Sequence, residues 1–315
     1  MWKYQRYFII TIDTEGDNLW GYKKGDPITT RNSKYIPRFQ ELCEKYNFKP
    51  VYLTNYEMLC DEEFVEYVCA KEKEGLCEVG LHLHAWNNPP LVDIDGPYSG
   101  NPYLIEYSDD DMRAKFDYLY KLFCEKIGHA PVSHRAGRWA MDVRYFRLLA
   151  EYGVTIDCSV TPHIDWSQTK GVMRGGSDYR VRLTKPHLVE GVRELPLTVV
   201  PSRMPFGSSL KENLKRLIKG CNLQLRPAVF SLNEMKYVID CVYNSSIDYV
   251  EFMMHSSELM PGGSPYFADE AAIENLYADL EQLFQYASSE GYEGVTLQGY
   301  YDRQWLNLLA PPCAF

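Results

Sequence analysis

Apolar runs of strand length punctuate this chain, and most are followed by a segment whose apolar positions recur at helical spacing. Residues 7–12 form the first run, rich in β-branched and aromatic side chains and of the length of a buried strand. After a polar stretch to about residue 31, the pattern predicts a helix over 33–46, with Ser33 as its cap, and a second strand at 49–54. A helix over 61–73, with Asp61 as N-cap and Gly75 past its end, leads to a third strand at 77–84. A helix at 109–127 precedes a short strand at 132–138, and a helix at 142–152 precedes a strand at 154–159. Strands are expected within 188–200, with a hairpin about Glu190 and Gly191, then helices at 209–219 and 231–244. A strand at 248–255, a helix at 269–289 and a last strand at 293–297 complete the series.

Alternating strands and helices imply parallel β/α units, and seven or eight of them suggest a closed or nearly closed barrel. A doubly wound open sheet is the competing arrangement, but no glycine-rich phosphate loop follows the first strand. No internal repeat, low-complexity tract or linker interrupts the pattern, so residues 1–315 are expected to form a single domain. Loops at 85–108 and 160–187 are too long for plain connectors, and loops of that kind are usually functional or mobile.

Polar clusters fall at the C-terminal ends of the strands: Asp13 and Glu15, His82 and His84, Arg135 and Arg138, Asp157, and His255. In a barrel those ends converge on one mouth. Residues two apart on an extended backbone point the same way, so Asp13 and Glu15 share a face, and His82 and His84 can reach one metal ion. Two imidazoles and one carboxylate make a catalytic zinc set that leaves a position for water. Glu15 is the first choice for the carboxylate and Asp17 the alternative, if the turn at Gly16 swings it inward; Asp13 then stays free as general base. Of Arg135 and Arg138, one would hold Asp13 as a carboxylate and the other meet an anionic or polar substrate group. Trp139 is either a stacking platform for a sugar or a lid over the core. His255, followed by Glu258, has the setting of a protonated general acid, with Asp157 as a second candidate partner. His129, His134, His163 and His187 show no comparable setting, and no nucleophile-elbow pattern favours acyl-enzyme chemistry.

Composition narrows the classes further. The net charge is −10, from 33 basic and 43 acidic residues, and no block of Lys or Arg offers a nucleic-acid footprint. The nine cysteines contain no C-x-x-C pair and are expected to be reduced thiols. With no leader-like segment and no apolar run long enough to span a membrane, the expected location is the cytoplasm.

Taken together, these segments resemble the polysaccharide deacetylase family, also called the NodB-homology family or carbohydrate esterase family four. The resemblance runs through Thr11-Ile12-Asp13-Thr14-Glu15-Gly16, Glu78-Val79-Gly80-Leu81-His82-Leu83-His84, Arg135-Ala136-Gly137-Arg138-Trp139, Asp157-Cys158-Ser159 and Met253-Met254-His255, in family order. It implies a distorted seven-stranded (β/α) barrel of the glycoside hydrolase and deacetylase type. It also implies a divalent metal, usually zinc, and removal of acetyl groups from N-acetylated sugars. In those terms Asp13, His255 and Arg135 are catalytic, and Glu15, His82 and His84 hold the metal. Arg138, Trp139, Asp157, Glu258, Trp86 and Asn87 meet substrate or support the site. The sequence departs from the family in two places. Asp-Asp becomes Asp13-Thr14-Glu15, and the second histidine stands at 84, while position 86, four after the first, is Trp. The missing leader would suit an intracellular branch acting on an activated or lipid-linked sugar. The competing readings are a metal-independent glycoside hydrolase using Asp13 and Asp157, and a non-catalytic carbohydrate-binding descendant.

Overall fold

The first strand pairs on both edges and fixes the geometry of everything else. In the computed structural model, which describes residues 5–23, 25–207 and 209–309, it spans Arg6–Thr14 (β1). It is followed by β2 (Pro50–Thr54), β3 (Glu78–Leu83), β4 (Ser133–Ala136) and β5 (Ile156–Asp157). Then come β6 (His187–Val189), β7 (Val192–Glu194), β8 (Val199–Ser202), β9 (Cys221–Gln224), β10 (Tyr249–His255) and β11 (Tyr292–Val295). Seven of these, in the order β10-β1-β2-β3-β4-β5-β7, run parallel. β11 pairs with the first half of β1, and β6 folds back antiparallel on β7 through the expected Glu190-Gly191 hairpin. The sheet curls into an incomplete barrel. Its open seam, between β7 and β10, is closed by irregular backbone: Thr198 Oγ1 accepts from Glu251 N at 2.8 Å, and Leu225 O accepts from Met253 N at 3.0 Å.

Side-chain alternation sorts the barrel into an outside and an inside. On β1, Phe8, Ile10 and Ile12 join the large cluster beneath the outer helices. Tyr7 and Ile9 point inward, where they pack with Tyr249, Tyr300 and Tyr301 into an aromatic plug at the bottom. Two of those tyrosines come from a helix, Leu297–Leu309, which lies beyond the last element the sequence pattern predicts. Above the plug the same inward row continues with Thr11 and Asp13. On β10 it reads Tyr249, Glu251, Met253, His255, while Val250, Phe252 and Met254 face the helices. On β3 it reads Glu78, Gly80, His82. The interior is tight enough there that a Cβ on Gly80 would lie 2.3 Å from Ser133 Oγ.

The helix at 61–73 appears with its predicted cap, Asp61, and Asp142, Ser209 and Asp269 cap their helices in the same way: each accepts from a backbone N–H of the first turn. Ser33 does not cap. It sits inside a 3-10 turn, and the α-helix begins at Ile36 with Pro37 in its first turn. The predicted strand at 154–159 is only two residues long, and β8 and β9 form an antiparallel ribbon that the pattern did not announce. Eight cysteines are free thiols, and Cys313 lies outside the described residues. No helix among the described residues is long and apolar enough to cross a membrane.

Candidate metal and active site

Parallel pairing brings the strand ends level at the mouth. Asp13 is the register partner of His255 on β10 and of Leu53 on β2, and His82 is the partner of Arg135 on β4. One residue beyond its strand, each of β1 and β3 adds a second inward group, Glu15 and His84. Glu15 is pinned from behind: Asn32 and Ser256 bond its carbonyl, and Ser256 Oγ accepts from Glu15 N at 3.1 Å.

Glu15, His82 and His84 converge. His84 Nε2 lies 2.8 Å from His82 Nε2 and 3.2 Å from Glu15 Oε2, and the third side of the triangle is 3.7 Å. Ligands on a tetrahedral zinc with bonds of about 2.1 Å stand about 3.4 Å apart, so the triangle has the size a divalent ion requires. Its chemistry fits as well. His82 Nδ1 donates to Arg135 O at 2.9 Å, which turns an Nε2 lone pair toward the centre. Glu15 Oε2 is buried with no hydrogen-bond partner. Burial pulls the His82 imidazole down, but Asp13 and Glu15 outweigh it and raise its pKa. Burial and the charge of His82 drive His84 well below the usual range. Gly137 allows His84 its place: a Cβ there would lie 2.4 Å from both the ring and Leu83 O. Trp86, which occupies the position where the resembled family has its second histidine, packs its ring 4.2 Å from that of His84.

Asp13 is not part of the triangle. Its Oδ1 accepts from Arg135 NH1 at 2.6 Å, and its Oδ2 lies 4.0 Å from His82 Nε2 and 3.9 Å from His255 Nε2. Burial alone would raise the Asp13 carboxyl; the guanidinium of Arg135, helped by His82 and His255, holds it well below the ordinary carboxylate range. Arg135 is fully buried and also bonds Thr11 Oγ1 at 2.7 Å and Glu251. Across the mouth, His255 Nδ1 faces Glu258 Oε1 at 3.2 Å, leaving Nε2 toward the pocket. The ring of Trp20 stands edge-on over His255 at 4.9 Å.

These groups form the floor of a cavity of about 400 Å³, whose wall includes Trp20, Trp86, Tyr103, Arg138, Trp139, Trp166 and Arg226. Arg138 and Trp139 reach it through a strained turn, with φ of 55° and 62°. Trp139 thus lines the pocket while also lying 4.8 Å from the Arg135 guanidinium.

Several expectations are corrected by placement. Asp17 turns away from the triangle, its carboxylate taken by Thr29 Oγ1 and Arg31. Asp157 does not reach His255 or the pocket: its neighbours Ile156 and Cys158 point inward, so it points outward. There it accepts from His134 Nδ1 at 2.6 Å, and His134 also meets Tyr145 Oη. His134, expected to be unremarkable, is therefore one end of a buried network. The pairing of Asp13 with Asp157 that a glycoside hydrolase reading required is not assembled. Asn87 does not line the pocket; it donates to Glu57, whose other oxygen accepts from Gly16 N at 3.0 Å. Glu57, Glu251, Trp20, Trp166 and Arg226 were not singled out from the sequence. Glu251 was findable, because it shares the inward row of β10 with His255.

No family model matches the chain, and no curated protein sequence matches it. Solved structures do. A protein described as a polysaccharide deacetylase from Mycobacterium smegmatis superposes with a TM-score of 0.53 at 15% identity, covering 100% of this chain and 96% of that one. A 4-alpha-glucanotransferase from Thermococcus litoralis reaches 0.55 at 14% identity, over 95% of this chain but only 41% of its own. A GH57-type branching enzyme from Pyrococcus horikoshii reaches 0.51 at 15% identity, over 94% of this chain and 70% of its own. The likeness is one of fold, and it is the barrel type that the motifs implied.

Proposed function

We propose that the chain is a zinc-dependent hydrolase that removes the acetyl group from an N-acetylated sugar. The observation that carries this reading is the triangle of Glu15, His82 and His84 set between a carboxylate and an imidazole that belong to neither its bonds nor each other's. When bound, the cation supplies Lewis acidity beside the acetamide carbonyl. Asp13 takes the proton from the attacking water; Arg135 keeps it ionised and fixes which oxygen faces the pocket. As the new C–O bond replaces the C–N bond, His255 Nε2 passes a proton to the departing amine, with Glu258 holding the opposite ring nitrogen. Acetate and the free amino sugar are the products. Trp20, sealing one side of His255, limits water at that position.

The test is acetate release from N-acetylated sugars by zinc-loaded protein, with His255→Ala alongside. The expected result is turnover by the wild type, and a loss of about 100-fold or more in the variant with zinc content unchanged. Wild-type rates in the variant would remove His255 from the reaction. Sugar binding without any acetate release would favour the binding-protein reading.

A further inference from the structure

We propose that the pocket selects an N-acetylated sugar bearing an anionic group, phosphoryl or carboxylate, and that Arg138 and Arg226 recognise that group. The proposal rests on the deacetylase reading of the floor and adds the charge of the substrate.

The floor leaves little net charge to explain. Asp13 and Glu251 share Arg135, Glu258 faces His255, and Glu15 belongs to the cation site. The wall is different. Arg138 and Arg226 both line the cavity, and neither forms an ion pair among the described residues. Arg138 is held rigidly without being neutralised: NH1 donates to Asn101 O at 2.6 Å, NH2 to Lys170 O at 3.0 Å, and the guanidinium lies 4.1 Å over the Tyr103 ring. Carbonyls and a ring face fix its position, and the residue lines the cavity without an ion pair among the described residues.

Arg226 is anchored through its backbone. Leu225, just before it, bridges to Phe252 of β10, and the Arg226 carbonyl accepts from Val229 and Phe230. Its Nε is buried and has no hydrogen-bond partner. The guanidinium has no carboxylate partner among the described residues, and an anionic ligand in the cavity would supply that counter-charge. The same loop ties the two arginines to one wall. Lys170 O receives Arg138, His163 O receives Asn222 of β9, and Trp166 and Thr169 line the pocket between those points. In a chain of net charge −10, two unpaired guanidinium groups on one wall form a subsite for an anion. A neutral acetylated sugar would leave both charges without a counter-ion, whereas a phosphoryl or carboxylate group would supply one.

The test is calorimetric binding to zinc-loaded protein carrying Asp13→Asn to stop turnover. The ligands are N,N′-diacetylchitobiose, N-acetylglucosamine 1-phosphate and the uronic acid of N-acetylglucosamine. At least one anionic sugar is expected to bind about 10-fold or more tighter than the neutral one, with the gap shrinking as salt rises. Whichever anion shows the larger gap identifies the source of the charge. Arg226→Gln should abolish the gap and Arg226→Lys should keep part of it, which separates charge from a folding defect. Equal affinity for neutral and anionic sugars would overturn the proposal and leave the deacetylase reading standing. So would a gap that survives Arg226→Gln, since Arg226 would then not recognise the anion. Failure of all three sugars to bind would overturn both.

Discussion

The floor and the wall of this cavity are built on opposite principles. The floor consists of side chains from β1, β3, β4 and β10, strands locked to one another by parallel hydrogen bonding and filled from beneath by an aromatic plug. Each floor residue is placed by strand register and by the side of the strand it occupies. The wall consists of residues from irregular backbone, held by side chains bonded to carbonyls and by positive-φ turns at Arg138 and Trp139. A site made this way can keep its chemistry fixed while its selectivity changes, because the two depend on different kinds of structure.

The sharpest way to break that division is through the floor. Asp13→Asn is expected to lower kcat about 1000-fold while zinc content and the wall's affinity for substrate persist, as read by acetate release, elemental analysis and calorimetry. Arg135 would keep Thr11 and Glu251 as partners, so the floor should remain folded. If sugar affinity collapsed with turnover, floor and wall would not be separable. Next in size, His84→Ala should weaken zinc binding by about 100-fold, measured by chelator competition. Gly137→Ala should act in the same direction without touching a ligand atom, because its Cβ would press on the His84 ring.

The sequence made the floor readable for a physical reason. Asp13 and Glu15, and His82 and His84, are spaced by two, and a strand converts that spacing directly into a shared face. The same rule explains the failure at Asp157. It was read as a strand-end acid, but its flanking apolar residues, Ile156 and Cys158, claim the inside and send it outward to His134. Counting parity from those neighbours would have caught this. Counting from His255 would have found Glu251. The wall had no such rule. Trp166 and Arg226 reach the cavity through loop paths with no period, and Trp20 does so from a single 3-10 turn. The fold was legible as a parallel barrel because each β/α unit is a local pattern. Closure of its seam was not, since it depends on Thr198 and Leu225 meeting β10 from far along the chain.

Glu57 spans the two regions and offers a pH handle on their coupling. It accepts from Gly16 N beside the floor and from Asn87 Nδ2 beside Trp86, and burial raises its carboxyl to about 7. A carboxyl raised in the folded state stabilises most when protonated. Its contribution is complete below the unfolded value near 4.5 and is lost as pH rises to about 7. Glu57→Gln cannot ionise. Its stability relative to wild type should therefore improve by about 2 kcal/mol between pH 5 and pH 8, measured by denaturant unfolding at each pH. No change in that difference would mean that Glu57 titrates as it does in the unfolded chain, and that the link between floor and wall carries no buried charge.

The smallest effect is expected on the wall itself. Trp166 lines the cavity while its Nε1 donates to Thr161 Oγ1 at 2.7 Å, which anchors the ring on the wall. An aromatic face against a sugar contributes about 1 kcal/mol beyond area burial, so Trp166→Ala should raise KM about 5-fold. The substitution leaves Asp13, His255 and the metal triangle in place, so kcat should stay within about 2-fold of wild type. Steady-state kinetics separates the two. A fall in kcat matching the rise in KM would show that the wall orients the acetamide at the reacting centre as well as holding the sugar, and the division between floor and wall would then fail at its most permissive point.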